Sequence, residues 1–218
     1  MKKLLYVIPV VVLLSACNQA PKTAEDARDV KSASTEATVL KVDNSASTLK
    51  WEGAKITETV HHGTINISEG TLSVNNGQLE AGSFTIDMNS INCQDLTEDD
   101  GKLKLEGHLK SGDFFMTETY PTAKFEISSV AAAAGADGST HTVSGNLTIK
   151  NITKGISFPA TIAVGEDNAT ASAKFVINRN EWDVVWGGTK TEQGIKDYLQ
   201  NNLIKDEIAF DVNLKAAK

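Results

Sequence analysis

The sequence has very little cysteine. Only two cysteines, Cys17 and Cys93, occur among 218 residues, and Cys17 belongs to a processing motif described below. If Cys17 is acylated, Cys93 has no partner for an intrachain disulfide, and the fold must be stabilised by a hydrophobic core. A small secreted scaffold held together by disulfides is therefore excluded. We expect Cys93 to be a structural thiol.

Positive charge is also scarce. The chain carries 21 Lys and Arg against 28 Asp and Glu, which gives a net charge of −7. Removal of Lys2 and Lys3 with a signal peptide leaves 19 positive against 28 negative charges, a net charge of −9. Such a surface repels the phosphate backbone of nucleic acids. We therefore expect no nucleic-acid partner.

Motifs that carry catalysis or bind metal are absent from the sequence. It has no Gly-x-Ser-x-Gly elbow and no dinucleotide fingerprint, and the glycines at 187 and 188 lack the spacing of a P-loop. The adjacent His61 and His62 point to opposite faces of a strand, which does not suit a shared metal ion. The sequence thus predicts no metal site, no catalytic residue, no cofactor and no enzymatic activity. The sequence leaves open whether folding brings distant carboxylates together into a catalytic pair.

No hydrophobic run is long enough to span a bilayer. The longest, residues 4–14, has eleven residues, whereas a transmembrane helix needs about 20. It follows two lysines and precedes Leu14-Ser15-Ala16-Cys17, which resembles a bacterial lipobox. The sequence therefore predicts a lipoprotein signal peptide at residues 1–16, acylation of Cys17, and a membrane anchor through it. We expect the protein in the cell envelope, on its periplasmic or cell-surface side.

Residues 17–46 have a different composition from the rest of the chain. Beyond the cysteine they are rich in Ala, Ser, Thr, Lys, Glu and Asp, and they contain no aromatic residue. Without a sustained apolar period such a segment has little surface to bury. We interpret it as a flexible tether and expect the folded domain to occupy residues 47–218.

From Leu49 onwards, apolar residues alternate with polar ones. A period of two places every second side chain on one face of a strand. The clearest run is Ile208, Phe210, Val212 and Leu214, and turn signals such as Asn75-Asn76-Gly77 separate the runs. Eight or more strands that are apolar on one face are best accommodated by a closed antiparallel β-barrel, since closure buries that face and removes exposed edges. A two-sheet sandwich is the alternative.

Two segments depart from this alternation. Residues 95–112 are highly charged, with Leu105 and Leu109 four apart, which predicts a short helix or an irregular lid. Residues 191–203 carry apolar side chains at spacings of three and four, which predicts one amphipathic helix.

The predicted barrel interior contains both large and small side chains. Bulky rings such as Phe125 and Phe158 share the apolar face with small residues such as Ala160 and Ala173. A barrel of about eight strands is either filled by its side chains or holds one small ligand. The sequence leaves open which of these applies.

Several motifs occur in an order that resembles the YceI-like family of polyisoprenoid-binding periplasmic proteins. The resemblance extends from about Ser47 to Leu214. The residues that carry it are Trp51, Gly63, His108-Leu109-Lys110-Ser111, Asp113-Phe114-Phe115, Tyr120-Pro121 with Ala123 and Phe125, Val143 to Ile149, Ile152-Thr153-Lys154, and Arg179 with Trp182.

The resemblance implies an all-β fold, an extended antiparallel lipocalin-like β-barrel with one or two short helices. It implies an internal pocket for an isoprenoid or similar lipid and no bound cofactor other than that ligand. The pocket-lining candidates are Trp51, Phe84, Ile86, Phe114, Phe115, Phe125, Ile149, Phe158, Phe175, Ile177 and Phe210. Candidates for contact with a polar head group are the cations Arg179, Lys154 and Lys110.

The functional prediction is that the protein binds a long apolar amphiphile inside the barrel and carries or sequesters it in the cell envelope. A barrel-fold isomerase or cyclase, or a surface interaction module with a filled core, is the alternative. For the adjacent Phe114 and Phe115, one ring is expected to face the interior and the other to seal the loop, since neighbours in an extended segment point to opposite sides. Whether the protein forms a homodimer is left open.

Overall fold

Nine strands dominate the computed structural model, which describes residues 24–30, 32–57, 59–188 and 203–218. The other elements in these ranges are helix α1 (Lys102–Lys110) and a 3₁₀ helix (Arg179–Trp182). The strands are β1 (Thr38–Val42), β2 (Thr48–Lys55), β3 (Val60–Asn75), β4 (Gln78–Cys93), β5 (Thr122–Ala132), β6 (His141–Ile149), β7 (Ile152–Val164), β8 (Asn168–Asn178) and β9 (Ile204–Ala217).

The sheet closes on itself. Its order is β1-β3-β2-β9-β8-β7-β6-β5-β4, and β3 also pairs with β4. Strands β1 and β2 lie in tandem along β3, because Lys41 pairs with Thr71 and Leu49 with Ile65 in the same antiparallel direction. The nine strands thus fill eight positions of a closed antiparallel barrel. The predicted lipocalin-like barrel is confirmed, and the two-sheet sandwich is wrong.

A tight turn and a glycine within a strand help to position the strands. Asn76 and Gly77 both have positive φ, 49° and 74°, where they join β3 to β4, as tight hairpins require. Gly63 pairs with Trp51 on the neighbouring strand. A Cβ atom at Gly63 would overlap the carbonyl oxygen of Asn92 and lie 2.9 Å from the Trp51 ring. Glycine at this position therefore makes room for the indole inside the barrel.

Two clusters of buried residues occupy the two ends of the barrel. At the end formed by β1, called the β1 end, Leu40 and Leu72 are almost fully buried, together with Ala169 and Ala216. At the opposite end, called the helix end, the buried cluster includes Trp182 and residues on β4 and β6. The space between the two clusters is the barrel interior.

The helix prediction is confirmed in one segment and lies outside the described residues in the other. Helix α1 falls within residues 95–112, as predicted. The predicted helix at 191–203 lies outside the described residues except for Leu203, which is buried. The predicted signal peptide and Cys17 also lie outside them. No helix of the described part is both long and apolar enough to cross a membrane.

The predicted tether is wrong for its described part, residues 24–46 except residue 31. Residues 38–42 form β1, and Leu40 is only 2% exposed. Further upstream, Glu25 forms a β-bridge with Gly155. The folded domain therefore begins well before residue 47. Two apolar residues at period two, Leu40 and Val42, were too short a signal to distinguish a strand from a polar linker.

A buried thiol and a carboxylate join the ends of β3 and β4. The Asp95 carboxylate accepts hydrogen bonds from the His62 N–H at 2.8 Å and the Cys93 thiol at 3.2 Å, and it pairs with His61 Nδ1 at 2.8 Å. Cys93 is fully buried, and this burial raises the pKa of its thiol. Burial opposes ionisation of Asp95, but these hydrogen bonds outweigh it and lower its pKa to about 2.

We expect this carboxylate to contribute to acid sensitivity. A depressed pKa stabilises the fold above the unfolded-state value near 3.8, and the contribution is lost as the pH falls towards 2. Because solvent reaches the site, the Asp95→Asn variant should lose only about 1 kcal/mol at neutral pH. Urea unfolding at pH values from 7 to about 2 should show wild type and variant converging at the acid end. A constant difference across that range would contradict the assignment.

Candidate ligand-binding cavity

An elongated apolar cavity of about 140 Å³ lies between the two buried clusters. It extends from Ile162 and Leu214, towards the β1 end, to Phe115 and Ile149, towards the helix end. Every strand except β1 contributes to its wall. Because inward positions alternate with outward ones, the period-two apolar residues of each strand together form this wall.

A belt of aromatic rings crosses the wall at mid-height. Phe84 pairs with Phe125 across β4 and β5, and Phe175 pairs with Phe210 across β8 and β9. Ring centroids are 5.6 Å apart for Phe125 and Phe158, 4.3 Å for Phe158 and Phe175, and 5.5 Å for Phe175 and Phe210. Phe158 and Phe175 are nearly parallel, with 12° between their planes. Such stacked pairs add to the stabilisation that burial alone provides.

Most of the pocket residues named from the sequence meet in this cavity. Nine of the eleven line it. Trp51 instead lines an adjoining cleft and is 7% exposed. Its Nε1 is buried and has no hydrogen-bond partner among the described residues. The nine are Phe84, Ile86, Phe115, Phe125, Ile149, Phe158, Phe175, Ile177 and Phe210.

Phe114 does not line the cavity, so its inclusion among the pocket residues is wrong. It packs at the helix end, with its ring centroid 5.0 Å from His108 and 5.6 Å from Trp186. Its neighbour Phe115 faces the interior and lines the cavity. The two rings therefore have the separate positions expected of adjacent residues, one lining the interior and one sealing the loop.

Trp182 blocks the helix end of the barrel. Its side chain is fully buried, and its Nε1 donates a hydrogen bond of 2.9 Å to the Leu147 carbonyl oxygen on β6. The 3₁₀ helix that carries it directly follows β8 and is capped by the Asn178 side chain, which accepts from the Asn180 N–H. Sequence analysis names Trp182 only as part of a family motif and does not predict that it closes this end of the barrel.

Arg179 is a structural residue and not a free cation for a head group, which corrects the prediction. Its side chain is 2% exposed, and its guanidinium donates to the carbonyl oxygens of Val184 at 2.6 Å, Trp186 at 2.9 Å and Lys205 at 3.1 Å. Asp206 lies 3.8 Å away. Burial lowers the pKa of Arg179, and the neighbouring carboxylates oppose this effect. Through these hydrogen bonds, the guanidinium joins the loop after the 3₁₀ helix to the start of β9.

The other two predicted head-group cations also lie away from the cavity. Lys154 Nζ is 3.9 Å from the Asp26 carboxylate. Lys110 is in the last turn of α1, where a basic side chain suits the helix dipole. Neither residue lines the cavity.

The chemistry of the wall suits binding an apolar chain. The residues that line the cavity include no ionisable side chain, and no group of three His, Cys, Asp or Glu in the described part could hold a metal ion. A closed antiparallel barrel around an apolar cavity defines the class of lipocalin-like binding barrels.

The family model of the YceI-like domain matches residues 40–216, and the chain therefore belongs to the YceI-like family. Curated relatives include UPF0312 proteins of Pseudomonas putida, 24% identical over 148 residues, which is 65% of this chain and 73% of theirs. The structure of BcnA from Burkholderia cenocepacia is 21% identical with a TM-score of 0.58, covering 80% of this chain and 98% of that one. A polyisoprenoid-binding domain from Saccharophagus degradans, implicated in plant cell wall breakdown, is 18% identical with a TM-score of 0.56, covering 82% and 97%.

Proposed function

We propose that the barrel binds a long apolar amphiphile, a polyisoprenoid or a similar lipid, in its interior cavity. The observation that carries this proposal is a closed barrel whose elongated hollow is apolar and, among the described residues, is lined by no ionisable side chain. The family and the polyisoprenoid-binding domain of similar fold support the same ligand class.

The energetics of an apolar tail agree with this ligand class. Burial of each methylene group contributes about 0.8 kcal/mol, so a tail of many carbons offsets the entropic cost of association. A methylene is about as large as a water molecule, and a cavity needs about 10–15 Å³ of accessible volume for each water that it holds. The present cavity of about 140 Å³ therefore holds about ten methylenes, and a longer tail requires the wall to widen.

The barrel interior supports ligand binding better than it supports an isomerase or cyclase, or a surface interaction module. An isomerase or cyclase requires an ionisable group that faces the substrate, and the described residues of the cavity wall include none. A surface module with a filled core would have no elongated hollow between its end clusters. We therefore favour a binding protein over an enzyme.

The proposal includes a location. With Cys17 acylated, the barrel would be tethered to a membrane of the cell envelope and would hold or carry its lipid there. Fractionation of cells that express a Cys17→Ala variant tests the anchor independently of ligand binding. We expect the wild-type protein to associate with the membrane and the variant to lose this association.

Titration with prenols of two lengths tests the binding function. Geranylgeraniol has twice the carbon count of geraniol and the same head group, so an apolar tube should bind it at least 100-fold more tightly. Tryptophan fluorescence reports the titration, because Trp51 and Trp182 lie next to the barrel interior. Equal affinity for both prenols, or no binding of either, would contradict the proposal.

A further inference from the structure

The barrel wall has a seam between β7 and β8. These strands pair only from Ala160 with Ala173 to Val164 with Ala169. Strand β7 begins at Ile152 and β8 ends at Asn178, so the first half of β7 and the second half of β8 share no backbone pairing. The other edges of both strands are paired along this length, with β6 and β9.

A proline explains where the pairing stops. Alternate residues of an antiparallel strand direct their N–H groups to alternate neighbours. Gly155 directs its N–H away from β6, since it exchanges two 2.9 Å hydrogen bonds with Glu25. Pro159, four residues further along, points to the same side as Gly155 but has no N–H to donate to β8. The ladder ends at the residue next to it.

Residues 24–28, which we call the strap, cover the free edge of β7. Glu25 pairs with Gly155, and the Asn146 side chain accepts from the Arg28 N–H at 2.8 Å and donates to the Arg28 carbonyl at 2.7 Å. The Arg28 guanidinium donates to Ser157 Oγ at 2.9 Å and to the Glu25 carboxylate at 2.6 Å. A handful of hydrogen bonds therefore replaces the missing ladder.

A cleft of about 780 Å³ adjoins the seam. Its wall includes Glu25 of the strap, residues 155–159 of β7 and residues 174–178 of β8. Four residues, Phe158, Phe175, Ile177 and Phe210, belong to both this cleft and the interior cavity. The stacked rings of Phe158 and Phe175 thus stand between the outside and the hollow.

Within the described residues, the two ends of the barrel are better closed than the seam. Trp182 is fully buried at the helix end, and Leu40 and Leu72 are at most 2% exposed at the β1 end. Opening either end would expose a packed cluster. Opening the seam requires only that the strap detach and that one ring pair separate.

We infer that the seam is the entrance of the cavity and that the strap is its latch. The inference rests on the proposed binding function. When the strap detaches, the first half of β7 and the second half of β8 move apart, and the Phe158 and Phe175 rings separate. The apolar tail then passes between the two strands into the barrel. The same movement widens the narrow cavity. The latch controls the rates of loading and release and leaves the affinity nearly unchanged, because the bound tail contacts the wall and not the strap.

Stopped-flow fluorescence of the full chain with geranylgeraniol tests the entrance. Arg28→Ala removes the guanidinium contacts that hold the strap but touches no residue of the interior. Loss of about two net hydrogen bonds should raise the association and dissociation rates about tenfold each, with the dissociation constant within about twofold of wild type. Pro159→Val restores an N–H to the β7 edge, and both rates should fall.

Glu80→Ala is the matched control. The Glu80 carboxylate accepts from the Ser34 N–H at 2.9 Å, so this variant removes a contact of the same N-terminal segment away from the seam. Its rates should equal those of wild type. Wild-type rates in Arg28→Ala, or equal acceleration by Glu80→Ala, would overturn the inference while binding stands. Failure of wild type to bind geranylgeraniol would instead overturn the proposed function, and this inference with it.

Discussion

Replacement of Trp182 by alanine should lower the free energy of unfolding by about 3–5 kcal/mol. The side chain is fully buried at the helix end, and its removal leaves a large void near β7 and β9, the strands that contact the 3₁₀ helix. It also leaves the Leu147 carbonyl oxygen without the 2.9 Å hydrogen bond that Nε1 donates. Urea denaturation followed by circular dichroism measures the change.

A Trp182→Phe variant separates packing from hydrogen bonding. Phenylalanine keeps most of the ring but cannot donate to Leu147, so the loss should be about 1–3 kcal/mol. If Trp182→Ala unfolded at the same urea concentration as wild type, Trp182 would not be the plug that closes this end of the barrel. Equal losses in the two variants would assign the stabilisation to the hydrogen bond alone.

Ala173→Phe should abolish binding of the lipid while the barrel stays folded. Ala173 lines the cavity at mid-length, between Ala160 and Val212 of the neighbouring strands. A phenyl ring there divides a hollow of about 140 Å³, and we expect the dissociation constant for geranylgeraniol to rise at least 100-fold. The added ring enters free space, so the free energy of unfolding should fall by no more than about 1–3 kcal/mol.

Ala163→Phe provides the matched control. Ala163 is exposed on β7 and pairs with Thr170, so the same change adds a ring outside the barrel. Its affinity for geranylgeraniol should equal that of wild type. Unchanged affinity in Ala173→Phe would contradict the cavity as the ligand site, and severe unfolding of that variant would indicate that the interior has no space for a further ring.

The barrel was predictable because its signal repeats along the chain. In β9, the large apolar residues Ile208, Phe210, Val212 and Leu214 recur at every second position, and all four line the cavity. Each strand of this kind has one apolar face, and only closure buries all of these faces. The adjacent Phe114 and Phe115 could be assigned to opposite sides for the same geometric reason.

The strap and β1 could not be read from the sequence in the same way. Backbone groups of Glu25 and Arg28 hold the strap together with the Arg28 guanidinium, and backbone hydrogen bonds leave no apolar period in the sequence. Strand β1 has only two inward apolar residues. Pro159 is the one sequence signal for the seam. A proline within a strand pattern indicates an edge, and Pro159 lies where the pairing with β8 ends.

Arg179 shows why a head-group cation is difficult to identify from the sequence. An arginine in a family motif suggests an anionic ligand, but its partners here are carbonyl oxygens of residues 184, 186, 204 and 205. Those carbonyls converge on the guanidinium only after the barrel has closed. Sequence reasoning can name such a cation but not the acceptors that fold around it.

Native mass spectrometry of the protein purified from its own cell envelope tests the central claim most directly. The account predicts a complex with one lipid-sized molecule, which extraction with organic solvent removes and added geranylgeraniol replaces. A mass equal to that of the protein alone, with no uptake of prenol by a fully folded sample, would contradict it.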